Sequence, residues 1–194
     1  MAPSKAVRSV GMLLAPGAGA GSDQPALVAI DQALTTAGLT VDRVDFPYRL
    51  AGRSRPDQPP VLEETIRSAA RSLADRLGVD TAALVLGGRS MGGRICSQVV
   101  AAGMPAAGLV LISYPLHPPG RPEKPRTAHL GNITVPCLFI SGTRDAFGTP
   151  EELTTATADI PAKVTHVWIE GGDHSLRRRD AAVVEAVLSW LGPS

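Results

Sequence analysis

Ser90, Asp145 and His174 are the residues of this sequence whose types and spacing could carry out covalent chemistry. Ser90 stands in Gly88-Arg89-Ser90-Met91-Gly92, a G-x-S-x-G pattern that follows an apolar run and precedes a segment of helical spacing. In that setting the glycines leave room for a sharp turn with strained backbone angles, and the serine hydroxyl projects above the strand end. A serine is a weak nucleophile until a base takes its proton and a third group orients the base. Asp145 follows the apolar run Val135 to Ser141 and His174 follows the run Val164 to Glu170, so both stand just beyond predicted strands. The order serine, aspartate, histidine is one of the chain orders in which such sets occur. The glycine pattern alone does not separate a nucleophile from a plain turn, and the joint placement of the three residues carries the reading. Asp145 could instead cap the helix near Pro150, and Asp173 is the alternative carboxylate.

Phosphate-binding readings of the same glycines fit less well. A Walker loop needs Lys-Ser or Lys-Thr after its last glycine, and Gly17-Ala18-Gly19-Ala20-Gly21 lacks the third glycine of a dinucleotide fingerprint at the required position. That second glycine run has another use. The oxyanion of an acyl-transfer intermediate needs preorganised donors. The backbone N–H of Met91, at the amino end of a helix, is one candidate, and the N–H of Ala18 is the other, with Gly17 and Gly19 letting the backbone approach closely. Candidate substrate contacts are Gly17, Arg89 and His117. Arg89 and Arg94 keep two readings open. An arginine beside the nucleophile, or one from a proline-rich segment, could recruit an acidic substrate, or the guanidinium could brace the turn against a carboxylate or carbonyl. His117, His129 and His166 are poorer candidates for the base, the first two lying in the proline-rich segment and the third inside a strand.

These residues need a frame that brings strand ends together. Apolar runs of strand length recur at 10–15, 41–46, 82–86, 108–113, 135–141 and 164–170, and helical spacing falls at 24–37, 61–77, 91–102, 150–158 and 180–191. Short, nearly all-apolar strands alternating with helices predict an α/β fold, a doubly wound, mostly parallel sheet of about six strands with helices on both faces. Ligands are then expected at the carboxyl ends of the strands. Two stretches break the alternation and are predicted loops: Tyr48 to Pro60, and Pro115 to Asn132 with its five prolines. Each follows a strand end and could rim the site.

Composition narrows the partners. At 194 residues, 44% hydrophobic and 19% charged, the chain is long enough for one sizeable core and short for two, which predicts a single domain over 1–194. Nineteen Lys and Arg against eighteen Asp and Glu leave a formal charge of +1, so no global field argues for nucleic acid or an anionic membrane. A small-molecule acyl substrate is the expected partner, and composition does not fix the oligomeric state. Lys5 and Arg8 ahead of Val10 to Ala15 resemble a signal peptide only superficially, because the apolar run is too short and ends at Pro16-Gly17. Cys96 and Cys137 fit no metal or redox spacing and read as free buried thiols, consistent with a cytoplasmic location.

The chain resembles small, lidless members of the α/β-hydrolase superfamily, near the dienelactone-hydrolase-like group. Within it, Gly87-Gly88-Arg89-Ser90-Met91-Gly92-Gly93-Arg94, Ser113-Tyr114-Pro115-Leu116-His117-Pro118-Pro119-Gly120 and Gly172-Asp173-His174-Ser175 resemble the subgroup that includes a regulatory subunit of a histone acetyltransferase complex. The resemblance covers essentially the whole chain. It implies a parallel-rich sheet, a triad carried by Ser90, Asp145 and His174, and no cofactor; it does not imply a substrate. The family often opens its oxyanion loop with His-Gly, where this chain has Pro16-Gly17. The antiparallel first hairpin and any inserted lid are expected to be absent, leaving an open, shallow site. The expected activity is hydrolysis of an ester, thioester or similar acyl group; the alternatives are a catalytically silent binding or scaffolding protein and a small peptidase.

Overall fold

Each apolar run of strand length forms one strand of a six-stranded sheet in the computed structural model, which describes residues 9–192. The strands are β1 (Gly11–Ala15), β2 (Thr40–Arg43), β3 (Leu84–Arg89), β4 (Gly108–Ile112), β5 (Cys137–Gly142) and β6 (Val164–Ile169). They lie in the order β2-β1-β3-β4-β5-β6, and every neighbouring pair is parallel. Lys5 and Arg8 lie outside the described residues. Residues of β1, β4 and β5 are all buried, which is why those runs read as continuously apolar rather than alternating.

Six helices cover the sheet: α1 (Pro25–Thr36), α2 (Pro47–Leu50), α3 (Pro59–Leu77), α4 (Met91–Ala101), α5 (Pro150–Thr157) and α6 (Asp180–Leu191). Successive strand residues point to opposite faces, so Met12 and Leu14 join α1 and α6 in one core layer, while Leu13 and Ala15 join α3, α4 and α5 in the other. Each fully buried Leu or Ile of these layers contributes about 1.5–3 kcal/mol of apolar burial. The chain leaves β1 toward β2 on one side and returns to β3 on the other. The order therefore reverses between β1 and β3, and the crevice above their carboxyl ends is the place where such sheets bind ligands.

Element ends differ from the sequence reading in three places. β2 stops at Arg43, because Phe46 turns the chain into α2, a helix where a loop was expected; Pro47 at its first turn presets the helical φ. The run at 82–86 opens with a 3₁₀ turn over Thr81–Ala83, capped by the Asp80 carboxylate on the Ala82 N–H, so β3 begins at Leu84. α3 begins at Pro59, again with proline in its first turn. The segment 115–132 is irregular as expected, apart from a 3₁₀ turn at Leu130–Asn132. Among the described residues, no helix is long and apolar enough to cross a membrane.

Candidate active site

Ser90 occupies the single residue between β3 and α4, with φ 51° and ψ −117°. That left-handed φ is costly for a residue with a side chain and is sustained here by the elements on either side. A serine at the start of a helix ordinarily spends its hydroxyl on a backbone N–H of the first turn, but Ser90 makes no such cap bond. Its N–H is fixed instead by the Ile112 carbonyl at 2.8 Å, and its Oγ is left to reach outward. The flanking glycines are needed for approach. A Cβ on Gly88 would lie 2.2 Å from the Ala15 carbonyl oxygen, and one on Gly92 would lie 2.3 Å from the same atom. The end of β1 thus packs directly on the turn that carries the serine.

Ser90 Oγ lies 2.9 Å from His174 Nε2. His174 Nδ1 lies 3.0 and 2.9 Å from the two oxygens of Asp145. Since a carboxylate can only accept, Nδ1 carries the proton and Nε2 presents its lone pair to the serine hydroxyl. Asp145 is buried, and its Oδ1 also accepts the Phe147 N–H at 2.8 Å. The Phe147 ring stacks on the imidazole with centroids 3.9 Å apart and planes 25° apart, limiting the ring to one orientation. Asp173, the alternative carboxylate, turns to the N–H and hydroxyl of Ser175, and the cap of α5 is Thr149 rather than Asp145.

The remaining candidates separate. Gly17, Ala18, Arg89, Ser90, Met91 and His174 line one cavity of about 670 Å³. Met91 is the first residue of α4, so its N–H has no intrahelical partner. In the loop after β1, Gln24 Oε1 accepts the Gly17 N–H at 3.1 Å and the Tyr48 hydroxyl donates to the Ala18 carbonyl at 2.7 Å. These bonds fix the peptide while no acceptor among the described residues takes the Ala18 N–H. Arg89 donates from Nη2 to the His174 carbonyl at 2.6 Å, a contact of the bracing kind. Burial lowers its pKa, opposed by Asp145, Asp173 and Asp180. His117 lines a different cavity, with Leu116, Pro122 and Glu152 among its walls. Its Nδ1 is 2.8 Å from the Pro118 carbonyl and its Nε2 is 3.3 Å from Glu152, so it has no nitrogen to offer at Ser90.

Sequence reasoning did not single out Gln24, Tyr48 or Phe147. Gln24 was within loop reach of Gly17, seven residues on, but nothing local shows that Tyr48 closes on Ala18 across 30 residues or that Phe147 lies flat on His174. Cys96 and Cys137 are free and buried, and burial pushes both thiols up to about 12. Among the described residues no group of three or more His, Cys, Asp or Glu side chains is placed to hold a metal ion.

Comparison with known proteins places this fold. The family model of the alpha/beta hydrolase domain matches residues 8–187. The chain belongs to that family. Several solved alpha/beta hydrolase structures have the same fold at low identity. An alpha-beta serine hydrolase homologue from Coxiella burnetii aligns at a TM-score of 0.74 and 20% identity, over 96% of this chain and 88% of that one. A dienelactone hydrolase from Anabaena variabilis gives 0.75 and 19%, over 97% and 87%. A serine hydrolase without a lid from Xanthomonas campestris gives 0.72 and 20%, over 98% and 86%. This alpha/beta hydrolase is likewise a minimal, lidless form of the fold, a six-stranded parallel sheet with helices on both faces and no inserted domain among the described residues.

Proposed function

We propose that this alpha/beta hydrolase is a serine hydrolase that cleaves a small ester, thioester or related acyl substrate through an acyl-enzyme intermediate. The observation that carries the reading is the continuous relay from Ser90 Oγ through His174 to buried Asp145, with the serine held at a positive φ. Ser90 Oγ attacks the acyl carbon as its proton passes to His174 Nε2. The bond to the leaving group breaks as His174 returns that proton to the departing oxygen or sulfur. Water then adds to the acyl carbon with His174 again as base, Ser90 recovers its proton, and the acid leaves. Asp145 holds the tautomer that keeps Nε2 unprotonated, and the stacked Phe147 ring faces the imidazolium that forms transiently. The N–H groups of Met91 and Ala18 receive the oxyanion, aided by the positive end of α4.

The 2.9 Å contact of Ser90 with His174 supports this reading over that of a silent, hydrolase-like binding protein, which has no physical need of it. A fluorophosphonate probe is expected to label Ser90 in the native protein and not in Ser90→Ala. Short-chain 4-nitrophenyl esters are expected to be turned over by the native protein alone. Failure of both labelling and turnover would overturn the reading. Thioesters and anilides of the same acyl group distinguish an esterase from a thioesterase or a peptidase.

A further inference from the structure

The cavity beside Ser90 contains two guanidinium groups that the acyl-transfer chemistry leaves unused. Arg94 is on α4 four residues after Ser90, with its N–H bonded to the Ser90 carbonyl at 3.0 Å. Both residues line the one cavity. Arg126 reaches the same cavity from the proline-rich segment.

Arg89 is bonded to the His174 carbonyl and lies in the field of Asp145, Asp173 and Asp180, which favours its charge. Arg94 has the opposite environment. Burial draws its pKa down, and the nearest charge effect is that of Arg126, which draws it down further. Glu63 acts on it from a distance but is paired with Arg67 at 3.1 Å. Tyr114 donates its hydroxyl to the Arg126 carbonyl, and burial pushes its pKa up to about 12, so it supplies no negative charge. His129 is kept neutral, its pKa lowered to about 4 by burial and by Arg94 itself. The Nε of Arg94 is buried without a partner, and the Arg126 fork makes one long bond, 3.4 Å from Nη1 to the Pro115 carbonyl. Among the described residues neither arginine is in an ion pair. One carboxylate lines the cavity, that of Asp57. It pairs with Arg53 at 2.7 Å, leaves its Oδ2 buried and unpartnered, and acts on Tyr48 rather than on Arg94. The cavity thus joins apolar walls, among them Leu62, Met91 and Phe147, to two arginines without a carboxylate partner.

We propose that Arg94 and Arg126 form a subsite for a carboxylate of the substrate, so that the ester cleaved at Ser90 is a monoester or monothioester of a short dicarboxylic acid. The inference rests on Ser90 being the nucleophile. A guanidinium fork matches a carboxylate with two parallel N–H bonds, and an anion held between Arg94 and Arg126 relieves the repulsion of two like charges in a partly desolvated site.

The test compares 4-nitrophenyl pentanoate with mono-4-nitrophenyl glutarate, which differ by the terminal carboxylate. The native protein is expected to favour the glutarate ester by at least tenfold in kcat/KM, chiefly through KM. Arg94→Met and Arg126→Met, each checked for a native circular dichroism spectrum and melting curve, are expected to bring that ratio near one. Arg94→Lys, which keeps charge but not the fork, is expected to restore part of it. A second arm needs no turnover: calorimetry on Ser90→Ala with monomethyl glutarate, dimethyl glutarate and inorganic phosphate. The monoester is expected to bind at least tenfold more tightly than the diester, and Arg94→Met to abolish the difference. Equal kinetics and equal binding overturn the subsite while leaving the hydrolase reading intact, and tighter binding of phosphate than of the monoester overturns the carboxylate assignment. If neither ester is turned over and Ser90 is not labelled, the hydrolase reading falls and the binding arm alone decides the subsite.

Discussion

Two cavities open on the same rim of this molecule, and the proline-rich segment is the wall between them. Pro115 and Arg126 face the cavity of Ser90, while Leu116, His117, Pro125 and Thr127 face the other, of about 740 Å³. Each cavity holds a histidine bonded to a carboxylate. In one, the second nitrogen of His174 meets a serine hydroxyl; in the other, the second nitrogen of His117 meets a backbone carbonyl. A carbonyl and a carboxylate can both only accept, so both contacts favour the protonated ring, and the pKa of His117 is raised, first by the Pro118 carbonyl and then by Glu152. A histidine beside a carboxylate thus faces a serine with its other nitrogen in one cavity and is drawn toward its protonated form in the other. The partner of the free nitrogen decides which.

The largest effect that would break this contrast is on turnover. Ser90→Ala is expected to lower kcat by about 10⁶-fold, the scale seen when a triad nucleophile is removed, whereas His117→Gln is expected to leave kcat/KM for a neutral ester within about threefold of the native value. A comparable loss from both would show that the second cavity takes part in the chemistry. Asp145→Asn comes next, with an expected fall in kcat of about 10⁴-fold, because an amide can donate to Nδ1 and favours the wrong tautomer. An unchanged melting temperature in that variant would assign the loss to the relay rather than to the fold. Phe147→Ala removes the ring stacked on His174 but none of its hydrogen bonds, and is expected to cost about 10- to 100-fold in kcat. Steady-state kinetics with one neutral ester measures all four.

The smallest effect concerns stability and is confined to the second cavity. Because the folded pKa of His117 is raised, its contribution is complete below the unfolded value and disappears as pH rises through the folded one. The pKa of Glu152 is lowered, by the Thr149 N–H and then by His117, so its contribution is complete above the unfolded value and is lost as pH falls through the folded one. Both are present between about pH 4.5 and 6.5. The melting temperature of His117→Gln is expected to fall below that of the native protein most clearly in that window and to converge with it by about pH 9. A difference that persists at pH 9 would mean that packing rather than charge holds this histidine.

Much of the frame was legible in the sequence because parallel strands buried on both faces leave continuous apolar runs, and six such runs became six strands. The convergence of Ser90, Asp145 and His174 was legible for a related reason. In an all-parallel sheet every strand ends on the same edge, so residues just past three different strands are brought to one rim whatever lies between them. What could not be read were contacts that depend on side-chain direction across that rim. Nothing in the sequence distinguishes His117 from a residue facing Ser90, since one residue of the irregular segment, Pro115, faces one cavity and the next, Leu116, faces the other. The partner of Arg89 was open between a carboxylate, a carbonyl and a substrate, and its bond to the His174 carbonyl depends on the His loop folding back over β3. α2 was missed because four residues carry too little periodicity to register, although its Tyr48 reaches the Ala18 carbonyl.

The tight packing of Ala15 on Gly88 and Gly92 has one further consequence. The Ser90 amide is bonded to the Ile112 carbonyl at the end of the fully buried strand β4, beside a contact that admits no extra atom at Gly88 or Gly92, so its exchange with deuterium is expected to be slow. Ser90 is thus expected to be among the slower-exchanging positions, whereas His174 sits on a loop at the rim, so local opening of this site is expected to begin on the histidine side.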